Sequence, residues 1–115
     1  MIFSSFSIAE MVIDAANVRF AMKYKIVPER LEILKQYCKA LDELIVKCGA
    51  NSFEVEIDNT DMTVHMDLMV CCVECSMQQP ELVQLIQRAM TFRVKAEDDG
   101  DLRLSFVFPS LWAAI

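Results

Sequence analysis

Apolar and polar residues alternate one for one along "NVRFAMKYKIV", where Val18, Phe20, Met22, Tyr24 and Ile26 interleave with Arg19, Ala21, Lys23 and Lys25. Side chains two apart share one face of a strand, so the pattern predicts a half-buried strand with a basic outer face. The period then changes. After Pro28, which the first helical turn tolerates, Leu31, Leu34, Cys38, Leu41, Ile45 and Cys48 recur at spacings of three and four. That is the apolar stripe of an amphipathic helix, and Gly49 stands where a C-cap glycine belongs.

Period two returns at Phe53, Val55 and Ile57, and again from Met62 through Val64, Met66, Leu68 and Val70. Asp58, Asn59, Thr60 and Asp61 lie between the two runs and supply turn chemistry, so a hairpin is expected. Pro80 opens a second helix, with Val83, Ile86 and Met90 on one face and Leu82 and Leu85 beside them. A last hairpin turns at Asp98, Asp99 and Gly100, with Phe92, Val94 and Ala96 paired against Leu102, Leu104, Phe106 and Phe108 as its buried set. The order β-α-β-β-α-β-β describes an α+β domain: a ferredoxin-like β-α-β-β-α-β with an extra C-terminal strand, its antiparallel sheet covered by two helices on one face. The first 15 residues read equally as a short helix, since Ser7 and Glu10 have capping-box spacing, or as extended chain. Residues 109–115 form an apolar tail.

The chain has 115 residues, 55% of them apolar, with two glycines and three prolines, which predicts one folded domain over 1–115 and little disorder. The formal net charge of −6 disfavours nucleic acid and anionic membranes as partners. The outward strand positions carry no aromatic on which a base could stack, which disfavours RNA for a second reason. No apolar run approaches the roughly 20 residues of a membrane helix, and "MIFSSFSIAE" lacks the basic start of an export signal. A cytoplasmic protein with five reduced cysteines is therefore expected.

"HMDLMVCCVEC" is the densest concentration of chemistry. Cys72 and Cys75 have C-x-x-C spacing, but they continue an alternating strand without the turn on which two sulfurs converge on one ion. No second ligand pair occurs elsewhere, so no metal and no cofactor is expected. The least unlikely ligands are Cys71, Cys75 and His65, which share the outward phase. His65 and Asp67 share a face but have no nucleophile beside them, so no catalytic residue is assigned. Arg19, Lys23, Lys25, Arg93 and Lys95 would form a basic strip if the first strand lay between the third and fourth, and such a strip would bind a small anion. Phe3, Phe6, Leu111, Trp112 and Ile115 make both termini apolar. They either fold back on the domain or pack against another copy. The expectation is a non-enzymatic interaction module that forms a homo-oligomer and binds a protein partner. The alternatives are an anion-sensing domain using the strip and a thiol or metal protein using the cysteines.

Overall fold

The computed structural model describes residues 4–70, 79–97 and 100–115. Among these residues it is an α+β fold: helices α1 (Ser5–Phe20), α2 (Pro28–Cys48) and α3 (Pro80–Arg88), and strands β1 (Tyr24–Ile26), β2 (Ala50–Ile57), β3 (Val64–Val70), β4 (Thr91–Ala96), β5 (Leu102–Phe108) and β6 (Trp112–Ala114). Four strands form an antiparallel sheet in the order β2-β3-β5-β4, while β1 pairs only with β6 in a separate two-stranded ribbon.

The strand expected across Val18–Ile26 is divided: Val18–Phe20 are the end of a helix, residues 21–23 are a turn, and only Tyr24–Ile26 are strand. Ala9, Ile13 and Ala16 are buried with Phe20 packed beside them, a spacing of four, three and four that only a helix brings onto one side. Of the residues assigned to the strand's inner face, Val18 and Met22 are 80% and 94% exposed, while Phe20, Tyr24 and Ile26 pack against the core. Ser4 caps this helix by accepting the N–H of Ser7 at 3.1 Å. Just inside the N-terminus, Ser5 donates its backbone N–H to Asp42 Oδ1 at 2.8 Å and its hydroxyl to the Cys38 carbonyl at 2.9 Å, both on α2. A carboxylate at the positive end of a helix dipole is favourable, so these bonds orient α1 against α2.

The period-two pattern survives only over Tyr24–Ile26, because the third position in the sheet is already taken. β5 lies between β3 and β4, in register from Val64↔Phe108 to Val70↔Leu102 on one side and from Thr91↔Val107 to Ala96↔Leu102 on the other. The ferredoxin-like placement of the first strand inside the sheet is therefore not observed. Helix α2 agrees with its pattern. The αL residue Gly49 ends α2 at φ 64°, ψ 57°, donating its N–H to Ile45. Leu34, Cys38 and Leu41 are buried, joined by Leu44, and Tyr37 stacks on Phe108 with centroids 4.8 Å apart.

Two details of side-chain placement differ from the expectation. Helix α3 buries Leu82 and Leu85 and leaves Val83 and Met90 exposed, because its contact is made by the other stripe, with Ile86 and Ala89. The row Phe92, Val94 and Ala96 pairs with β5 as expected, yet Val94 is 47% exposed and Ala96 is exposed. β4 is the end strand of the sheet, and the helices pack over β2 and β5.

The C-terminal tail folds back. Leu111 and Trp112 are 2% and 3% exposed within the chain itself, the Val27 N–H donates to the Leu111 carbonyl at 2.8 Å, and Trp112 meets Phe20 edge to face at 5.1 Å. Burial of this apolar surface stabilises the tail by roughly 25 cal/mol for each Å² removed from water. Phe6 packs against the core beneath Lys35, and Ile115 is left exposed. Of the residues expected either to fold back or to pack against another copy, Leu111 and Trp112 lie in the chain's own core, and Phe3 lies outside the described residues.

Candidate functional site

One face of the four-stranded sheet carries the helices and the other is open. Three rows of side chains cross the open face: Glu56–His65–Val107–Thr91, Glu54–Asp67–Ser105–Arg93 and Ser52–Met69–Arg103–Lys95. The face is graded in charge. The β2 edge presents Glu54 and Glu56, the β4 edge presents Arg93 and Lys95, and Arg103 stands on β5 between them.

Arg103 lies diagonally across the face. Its Nε donates to Glu97 Oε1 at 2.8 Å and its Nη1 to Asp67 Oδ2 at 2.9 Å, with Glu54 Oε2 at 3.8 Å from the same nitrogen. The hydrogen bonds it donates to Glu97 and then to Asp67 hold the guanidinium protonated even more firmly than usual. This network takes Asp67 away from His65, so the His–Asp pair suggested by their shared strand face does not form. His65 is instead linked to Thr63. The Thr63 hydroxyl is 2.6 Å from Asp61 Oδ1 and 2.9 Å from His65 Nε2. A hydroxyl has one proton and an ionised carboxylate can only accept, so Thr63 donates to Asp61 and accepts from Nε2–H of His65. The Thr63 hydroxyl and N–H together draw Asp61 below its ordinary value of 3.8.

Asp58, Asp61 and His65 bring their possible ligand atoms within 4.8 Å of one another. The first ligand atoms are already engaged in building the turn: Asp58 Oδ1 accepts the N–H groups of Thr60 and Asp61, at 2.7 and 3.0 Å, and Asp61 Oδ1 accepts that of Thr63 at 3.0 Å. The cluster is accounted for by a turn that also holds Met62 at a positive φ of 59°. Of the expected least unlikely ligands, His65 is on the open face, and Cys71 and Cys75 lie outside the described residues. Cys38 is buried, and desolvation pushes its thiol up to about 11.

The expected basic strip divides between two sheets. Arg93 and Lys95 stand on β4 of the larger sheet, while Lys25 is on β1 of the ribbon, Lys23 in the turn before it, and Arg19 at the end of α1, donating to Asn59 Oδ1 at 3.2 Å. A groove of about 500 Å³ runs over the open face, lined by Asp61, His65, Asp67, Thr91, Arg93 and Ser105 among others. A smaller apolar crevice of about 120 Å³ lies between α2 and the tail, lined by Ile33, Tyr37, Phe108 and Pro109. Arg30 at this crevice is spent on the tail, donating to the Trp112 carbonyl at 3.0 Å.

The site feature that sequence reasoning missed is the β4 edge. Its three apolar residues were legible as an inward row, but their incomplete cover was not. The sequence matches no protein-family model, and neither a curated protein nor a solved structure matches the chain. Among the described residues, no helix is long and apolar enough to cross a membrane.

Proposed function

We propose that this chain is a non-enzymatic interaction module that self-associates and binds protein through the β4 edge of its sheet. The observation that carries this reading is the half-exposed apolar row of β4. Phe92, Val94 and Ala96 face the helix side without full cover, and Val83 and Met90 are exposed on and just after α3. Natural sheets shorten, twist or cover their edges, and an uncovered apolar edge is a template for a further strand. Sedimentation velocity of the reduced protein across a hundredfold range of concentration tests the reading. A sedimentation coefficient that rises with concentration supports it, and a monomer throughout would sink it.

A second reading, a domain that senses a small anion, is favoured by one observation. Among the described residues the Arg93 guanidinium makes no hydrogen bond or ion pair, and it lines the groove with His65, Thr91 and Ser105. A thermal shift with phosphate or sulfate, absent in Arg93→Gln, would support it. A shift of equal size in both proteins would dismiss it.

A further inference from the structure

We infer that the strand added to the β4 edge is β2 of a second copy of this chain, so that the module assembles head to tail. The inference rests on the self-association proposed above and names the surface that meets β4.

Like edges repel. Pairing β4 with β4 of another copy about Val94 sets Arg93 against Lys95, and pairing β2 with β2 about Val55 sets Glu54 against Glu56. Like charges opposite one another across strands are destabilising. The unlike edges match in direction, face and order. β2, β3, β5 and β4 alternate in direction, so a copy continuing the sheet beyond β4 presents its β2 antiparallel to it. Both charged sets lie on the open face. In one register Arg93 stands opposite Glu56 of the second copy and Lys95 opposite Glu54 of the second copy. On the helix face the same register pairs Phe92 with Ile57, Val94 with Val55 and Ala96 with Phe53 of that copy. Every position from Phe92 to Ala96 meets a residue of compatible character. The irregularity in β2 falls at its Ala50–Ser52 end, outside the paired stretch.

A contact between two different edges leaves one of each kind free at the ends of the assembly. Strands twist by about −20 to −25° from one to the next, so a copy of four strands turns the next by about 90° and the chain of copies is open rather than a closed pair.

Charge reversal tests this. Arg93→Glu with Lys95→Glu makes both edges acidic, and Glu54→Lys with Glu56→Lys makes both basic. All four positions are exposed, and circular dichroism and melting temperature check that each variant is folded. The wild type is expected to grow in weight-average mass with concentration and to lose mass with added salt. Each double variant alone is expected to remain monomeric, and an equimolar mixture of the two is expected to regain the growth, because each supplies the edge the other lacks. Retention of wild-type assembly by both variants, failure of the mixture to recover, or a mass that stops at a dimer would each overturn the β4–β2 pairing while leaving self-association standing. A wild type that is monomeric throughout would overturn both.

Discussion

The indole N–H of Trp112 donates to Asn17 Oδ1 at 3.0 Å, joining the last strand of the chain to its first helix. The bond satisfies the polar atom of an otherwise buried ring, which makes it a lock on the folded-back tail rather than an ornament. Asn17→Leu leaves that N–H in an apolar setting, which costs about 1–3 kcal/mol. The expected result in urea unfolding is a lower midpoint with an unchanged slope. Trp112→Phe combined with Asn17→Leu should cost less than the sum of the two, because the second change removes the orphaned donor.

The Thr63 hydroxyl and N–H hold Asp61 ionised, so Thr63→Val should let its carboxyl return toward 3.8. The sign follows from linkage. A carboxyl whose folded value lies below its unfolded one contributes stability that is present above the unfolded value and lost as pH falls through the folded one. Wild type and Thr63→Val should therefore differ in stability at pH 7 and converge at acid pH. Carbon-13 NMR titration of the Asp61 carboxyl reads the shift directly, and an unchanged midpoint in the variant would refute the link.

Cys38 gives the opposite case at alkaline pH. Its thiol is raised from 9.0 to about 11 by burial. The stability it contributes is complete below pH 9 and is lost as pH rises through the folded value, up to roughly 2–3 kcal/mol at about 1.4 kcal/mol per unit. Native alkylation followed by mass spectrometry should leave Cys38 unmodified at pH 8, and Cys38→Ala should flatten the alkaline loss of stability. Prompt labelling of Cys38 in the folded protein would contradict its burial.

Arg103 binds carboxylates contributed by β3 and by the end of β4. Arg103→Met leaves Asp67 and Glu97 without their shared cation, and they are no more than a third exposed. The variant is expected to melt below wild type at pH 7 in dilute buffer. Added salt should narrow the gap. A gap that salt leaves unchanged would mean that Arg103 acts through packing alone.

Much of the fold was legible because local pattern and tertiary outcome agreed. The α2 stripe ends at the glycine that terminates it, the β2–β3 turn uses the aspartates that predict it, and β3 alternates buried and half-buried residues from Val64 to Val70. The failure lay in α1. Phe20 and Ile26 belong to a period-two pattern, but Ala9, Ile13, Ala16 and Phe20 belong to a helical one, and residues 18–20 are claimed by both. The open face was partly legible, since Glu54, Glu56, His65, Asp67, Arg93, Lys95 and Arg103 all read as outward. Their partners were not, because Asp67 could choose between His65 two residues away and Arg103 on another strand.

The sequence by itself determined which residues face inward along α2, β2, β3 and β5, where α2 stops and where the β2–β3 hairpin turns, because these depend on periods and backbone preferences carried by neighbours in the chain. Only the tertiary structure decided that β1 leaves the main sheet to pair with β6, that Trp112 is core rather than interface, and that the apolar row of β4 is left half uncovered. Those outcomes depend on which surfaces compete for the same cover. The helix layer spans β2 to β5, and the row at the edge is what remains.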